Sequence, residues 1–157
     1  MKTLVLYESF FGNTAQIAQA MGKATIGEII VRQYSEVNWE EIRSFDFLIV
    51  GSPTRGFRPC EATKKFLKSI PENGLKEIKV AAFDTRILID SIKSKALKFI
   101  VDTGGYAAKH IQKSLIKKGG VVLVPPEGFF VSDEKGPLTE GELDRATQWT
   151  EKLLTCG

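Results

Sequence analysis

Apolar residues along the chain gather into five short unbroken runs, at residues 4–7, 29–31, 47–50, 80–83 and 121–124. Runs this short, without polar alternation, predict strands covered on both faces. Between them the spacing changes to that of helices. Apolar positions recur with helical period from Ala15 to Met21, then at Ala62, Phe66, Leu67 and Ile70, and again at Ala108, Ile111 and Leu115. Leu143, Ala146, Thr150 and Leu153 continue the pattern near the end, and Thr139 with Glu142 reads as a capping box that opens this closing helix. Asn73-Gly74 and Gly119-Gly120 mark turns. In the stretch 85–106, Ile92, Ala96, Leu97, Ile100 and Val101 are spaced for a further helix, which Asp102-Thr103-Gly104-Gly105 would break.

Strands that alternate with helices predict a parallel sheet, because parallel neighbours need crossover connections, and the helices then cover both faces. The expected architecture is a three-layer α/β/α arrangement, with residues 1–157 forming one domain. A chain of 157 residues, 43% of them hydrophobic, can enclose a core of that kind. It contains no apolar run long enough to cross a membrane, and the N-terminus enters a strand directly instead of a secretory leader, so a cytoplasmic protein is expected. Cys60 and Cys156 form no disulfide framework or metal-spaced cluster, and reduced thiols follow. The net charge of +3 is mild and the lysines are dispersed, which argues against nucleic acid as a partner.

Open α/β sheets bind ligands outside the carboxyl ends of their strands, where strand order reverses. The loop after the first run is Ser9-Phe10-Phe11-Gly12-Asn13-Thr14, set between a strand and a helix start. Backbone N–H groups, two hydroxyls and the positive end of a helix dipole converge there, as a phosphate monoester requires. After the third run comes Gly51-Ser52-Pro53-Thr54-Arg55-Gly56-Phe57-Arg58-Pro59, and after the fourth Asp84-Thr85-Arg86. Glycine, proline and hydroxyl residues in these loops allow close approach of main chain to a planar ligand, with Phe57 available to pack on it.

These segments, taken in order, resemble the flavodoxin family: a strand, Ser-x-x-Gly-Asn-Thr, a helix, then Gly51-Ser52-Pro53-Thr54, then Phe83-Asp84-Thr85-Arg86. The likeness extends through Phe129-Phe130-Val131 to Gly136-Pro137-Leu138-Thr139-Glu140-Gly141-Glu142-Leu143 and so covers almost the whole chain. The resemblance implies a five-stranded parallel sheet of order 2-1-3-4-5 with FMN at the switch between strands one and three, a topology for which flavodoxin is itself the standard example. It implies that Ser9, Phe10, Phe11, Gly12, Asn13 and Thr14 hold the FMN phosphate. Ser52, Pro53, Thr54, Arg55, Gly56 and Phe57, with Asp84, Thr85 and Arg86, would then flank the isoalloxazine ring. The implied role is electron transfer between redox partner proteins. An FMN-dependent quinone or small-molecule reductase is the alternative, and an FMN-free interaction module of the same fold the third.

The sequence departs from many electron-carrier members at three points. Phe11 replaces a hydroxyl residue, which predicts one phosphate hydrogen bond fewer. The segment Asp84-Thr85-Arg86-Ile87-Leu88 has no aromatic residue, which predicts stacking on one side of the ring only. The isoelectric point near 8.8 contrasts with acidic carriers. Arg55, Arg58 and Arg86 near the expected ring would stabilise negative charge on a reduced flavin; alternatively, they are solvated or paired with Glu61 and Asp84. Rival chemistries lack their residues. Gly12-Asn13-Thr14 has no P-loop lysine, Gly51-Ser52 replaces a receiver aspartate, and neither GxGxxG nor a Cys-x5-Arg loop follows the first strand. His110 reads as a surface or partly buried residue, Cys60 as a structural thiol, and Trp39 and Trp149 as packing at helix–sheet edges. Lys113, Lys117 and Lys118 read as a solvated helix end.

Overall fold

The computed structural model describes residues 1–87 and 106–157; the helix expected around Ile92 to Val101, and its Asp102-Thr103-Gly104-Gly105 break, lie outside the described residues. Strands β1 (Lys2–Tyr7), β2 (Glu28–Gln33), β3 (Phe47–Arg55) and β5 (Lys79–Ile87) form where the apolar runs predict them. A two-residue strand β4 (Arg58–Pro59) turns back on β3. Helices α1 (Asn13–Met21), α2 (Trp39–Ile42), α3 (Glu61–Ser69), α4 (Ala107–Lys117) and α5 (Glu142–Thr155) connect or follow the strands.

The sheet runs β2-β1-β3-β5, and both β6 (Val121–Val122) and β7 (Glu127–Val131) lie along the outer edge of β5. Every pairing is parallel except β3 with β4. With β4 set aside and β6 and β7 counted as one interrupted strand, this is the 2-1-3-4-5 order that the resemblance implies. Alternate residues of the central strands feed two cores. Leu4, Leu6, Leu48, Val50 and Val80 pack with Leu67 of α3 and Ile111 and Leu115 of α4. Val5, Phe47, Ile49, Ala81 and Phe83 pack with Ile17 and Met21 of α1 and with Ala146 and Leu153 of α5. The period of two in a strand thus places α1 and α5 on one face and α3 and α4 on the other.

Three expectations need correction. The fifth strand is split: after Val122 the chain passes Pro125-Pro126, which have no N–H to donate to a ladder, and pairing resumes at Glu127. The segments read as loops after the third and fourth runs are strand instead, with Gly51 opposite Phe83, Ser52 opposite Asp84 and Pro53 opposite Thr85. Polar residues hide this in the sequence, because Ser52 and Asp84 are fully buried but satisfied: Ser52 Oγ accepts the Cys60 N–H at 3.0 Å and Asp84 is paired. Finally, no capping box forms. Gly141, at φ 85°, precedes α5 without a side-chain cap, and Thr139 donates its hydroxyl to Phe130 O at 3.3 Å. Glu142 is drawn away from the helix start because it accepts the Phe130 N–H at 2.7 Å and pairs with Arg145 at 2.7 Å.

Candidate functional site

The first turn of α1 opens at the carboxyl end of β1. Gly12 takes φ 89°, a left-handed conformation that glycine adopts without strain, and a Cβ built there would touch nothing within 4 Å. The space above it is open. No side chain caps the helix, and its first turn, which begins with Asn13 and Thr14, carries no charged residue. Ser9 braces the loop by accepting the Gly12 N–H on Oγ at 3.1 Å. Thr14 is buried, and its hydroxyl lies 2.8 Å from that of Thr85, which ties α1 to β5. Asn13 is covered by the chain at Gly136, where a Cβ would come within 2.6 Å of the Asn13 side chain. The result is a helix terminus with no side-chain cap and with open space beside Gly12, the arrangement that receives an anion.

Opposite this loop stands the hairpin of β3 and β4. Thr54 pairs with Pro59 and Arg55 with Arg58, so Gly56 and Phe57 form a two-residue turn with φ 55° and 62°. Two positive φ values are the signature of the hairpin turn whose twist matches the strands. Gly56 takes this at no cost, whereas a phenylalanine in that region carries strain of about 1–3 kcal/mol. Phe57 meets the Tyr106 ring edge to face, with centroids 6.0 Å apart. Tyr106 precedes α4, and its hydroxyl donates to Ile87 O at 3.1 Å. The Arg86 guanidinium lies 4.1 Å from the centre of the same ring. Arg86 also binds Asp84 in a fork, and the Asp84 carboxylate accepts the Ala108 N–H at 2.8 Å, so this buried acid anchors the start of α4 to β5. Burial pushes the Asp84 carboxyl above its ordinary value, against the pull of Arg86 and the Ala108 N–H.

Between these walls is a cleft of about 490 Å³, within the range of roughly 300–1,000 Å³ typical of small-molecule sites. Ser9, Phe10, Phe11, Asn13, Thr14, Pro53, Thr54, Arg55, Gly56, Phe57, Thr85 and Arg86 all line it. Gly12, Ser52 and Asp84 do not line it, and Ser52 and Asp84 are fully buried. Sequence reasoning missed Ile87, Tyr106, Val131, Asp133 and Glu134 as lining residues. Beside β5 the cleft carries the ring of Tyr106, from the start of α4. Its signal was a tyrosine directly after Gly104-Gly105 and before a helical pattern. Asp133 and Glu134 enter because the chain after β7 folds back to a bridge between Val131 and Leu138.

The arginines divide. Arg86 is paired with Asp84. Arg55 pairs with Glu134 at 3.6 Å, not Glu61, and lies 5.2 Å from the Phe10 ring centre and 6.0 Å from that of Phe11. Glu61 instead takes Lys64 at 3.0 Å. Arg58 does not line the cleft. Both phenyl rings of the loop are half exposed at the rim, Phe10 at 54% and Phe11 at 44%. Away from the cleft, Cys60 is buried at the start of α3 with Sγ 3.2 Å from the Thr63 hydroxyl, and Trp39 and Trp149 pack against opposite cores. Among the described residues no cluster of metal-ligating side chains occurs, and no helix is long and apolar enough to cross a membrane.

A family model described as the flavodoxin domain matches residues 4–122. No curated protein sequence matches the chain significantly. Among solved structures, the fold is similar to that of a flavodoxin from the domain Archaea, with a TM-score of 0.73 and 21% identity over 99% of this chain and 97% of that one. Flavodoxin 2 from Bacillus cereus gives a TM-score of 0.75 at 18% identity, covering 99% of both chains. Rubredoxin oxygen:oxidoreductase from Desulfovibrio gigas matches 98% of this chain with 35% of its own, at a TM-score of 0.70 and 16% identity. At these identities the structural likeness establishes the fold.

Proposed function

From the premise that the chain belongs to the flavodoxin domain family, we propose that it binds FMN in the cleft and transfers electrons between redox partner proteins. The observation that carries this reading is the uncapped first turn of α1, open above Gly12 and placed at one end of a cleft that Phe57 and Tyr106 also line. The residues fit the group. Amides of the 9–14 loop and the hydroxyls of Ser9 and Thr14 would take the phosphate oxygens, and such neutral donors hold a dianion without burying an ammonium group. Phe57 and Tyr106 would bound the isoalloxazine ring, and Pro53, Thr54 and Thr85 offer backbone and hydroxyl groups to its edge.

FMN, when bound, supplies electron-transfer chemistry that no side chain provides. The chain's own residues position it and set the surrounding charge. The hydroxyl contact of Thr14 with Thr85 fixes the phosphate end relative to the end of β5. Tyr106, held through Ile87 O and the Arg86 face, excludes water from one wall. Asp84 neutralises Arg86, so the charge presented by this wall is small. Cys60 and Cys156 are free thiols, which suits the cytoplasm as the working compartment.

The test is kinetic. FMN-loaded protein, reduced chemically without air, is mixed with a one-electron acceptor protein, and a parallel sample receives NADPH and a quinone. Rapid reoxidation by the acceptor with no direct NADPH turnover supports a carrier. Direct turnover of NADPH with quinone would replace it with the reductase reading.

A further inference from the structure

A second concavity, of about 370 Å³, lies on the α3–α4 face of the sheet, separate from the FMN cleft. Arg58, Lys64, Lys68, His110, Lys117 and Lys118 line it, and among the described residues no acidic side chain does. On α3 the contributing positions are 64, 67 and 68, and on α4 they are 110, 114 and 117, so each helix turns one face toward the groove. Lys64 is paired with Glu61, and Lys118 donates to Ile70 O at 2.6 Å. Arg58, Lys68 and Lys117 are exposed and form no ion pair among the described residues. Burial and then the charges of Arg58, Lys113, Lys109 and Lys64 hold the His110 imidazole below its ordinary value, which reports the positive field here.

The groove also adjoins the cleft through the backbone. Arg58 pairs with Arg55 in the hairpin whose Gly56-Phe57 tip lines the cleft, and Tyr106, which lines the cleft, stands one helical turn before His110. We propose that this basic α3–α4 groove is a docking surface for an acidic face of a partner protein, placing that partner at the mouth of the cleft. The choice of a protein follows from the lining. Its cations come from three parts of the chain, Arg58 from β4, Lys64 and Lys68 from successive turns of α3, and Lys117 and Lys118 from the end of α4, more positive charge than one small anion would balance, and no Phe, Tyr or Trp ring lines it on which bases could stack. Leu67 and Pro59 give it an apolar floor suited to a side-chain contact. The inference rests on the electron-transfer reading for what the partner does, while the attraction itself belongs to the groove.

The test uses the full chain and labelled probes in fluorescence anisotropy: cytochrome b5 as an acidic haem protein, cytochrome c as a basic one, an oligothymidine strand, and inorganic pyrophosphate as a competitor. Variants carry Lys64, Lys68 and Lys117 changed together to Glu, or to Gln in case the charge reversal disturbs folding. The acidic protein should bind and the basic one should not, with affinity falling about tenfold or more on raising salt from roughly 20 to 200 mM. Either triple variant should weaken binding about tenfold or more. Binding that is absent, indifferent to the variants, preferential for the oligonucleotide, or displaced by micromolar pyrophosphate would overturn the proposal. FMN loading, read by flavin fluorescence on the same samples, should be unchanged in the variants. Its failure in the parent chain would count against the flavin reading and leave the binding result standing.

Discussion

Arg86 holds Asp84 in a two-pronged grip, Nε to Oδ1 at 2.6 Å and Nη2 to Oδ2 at 2.8 Å. The carboxylate is fully buried and the guanidinium partly so, and the same carboxylate anchors α4 through Ala108. A cation that sequence alone places beside a flavin is therefore already compensated, and its main work is structural.

Removing the anion should show this. Asp84→Ala leaves the Arg86 charge without its partner and the Ala108 N–H without its acceptor, and breaking a buried pair in this way costs about 3–5 kcal/mol. Urea unfolding followed by circular dichroism should show a midpoint lowered accordingly. A loss under about 1 kcal/mol, as for an exposed pair, would mean the grip is not maintained in solution.

Arg55 differs, since its pair with Glu134 is long and both side chains are largely exposed. Arg55→Gln should lower the potential of bound FMN by less than about 59 mV, the equivalent of a tenfold change in a one-electron equilibrium. High salt should shrink the difference further. A larger shift that persists in high salt would show that Arg55 acts from a desolvated position.

Gly51 leaves room for Phe83. A Cβ at residue 51 would come within 2.0 Å of the Phe83 ring, which is itself fully buried. Gly51→Ala should destabilise by at least about 1–3 kcal/mol, the usual range for overpacking, because the ring has no free space to enter. Thermal unfolding of the variant decides the matter, and an unchanged melting temperature would contradict the packing.

Acid stability should depend on Glu142. Burial alone would raise its carboxyl, but hydrogen bonds from Arg145 and the Phe130 N–H, with the Arg145 charge, outweigh burial and hold it below the ordinary 4.5. A carboxyl depressed in the folded state stabilises above its unfolded value, and that contribution is lost as pH falls through the folded one. Melting temperatures measured from about pH 7 down to about pH 3 should therefore fall less steeply for Glu142→Gln than for the parent chain. Parallel curves would remove Glu142 from the acid response.

The sheet was legible because the runs at 4–7, 47–50 and 80–83 lie within strands buried on both faces, where hydrophobic contact decides; the run at 29–31 also forms a strand, but β2 is the sheet edge and only half-buried, not covered on both faces as expected. Legibility failed where polar groups are buried and satisfied. Ser52 and Asp84 continue β3 and β5 yet resemble loop residues, since a buried hydroxyl that is hydrogen-bonded and a buried carboxylate paired with Arg86 of its own strand leave no apolar pattern to read. The loop at 9–14 and the helix that it opens were visible because glycine and a helix start are local features. Tyr106 was not placed at the cleft because its position depends on where α4 docks, through Asp84 and Ala108, and that contact spans 24 residues of sequence. Glu142 misled for a similar reason: a local capping pattern lost to a hydrogen bond with Phe130.

The central claim is that the open amides at the start of α1 hold a phosphate. Calorimetric titration of flavin-free protein with FMN and, separately, with riboflavin tests it most directly. One FMN per chain should bind at least about 100-fold more tightly than riboflavin, because only FMN presents a dianion to the helix terminus. Equal affinity for the two flavins, or no binding of FMN at micromolar concentration, would contradict it.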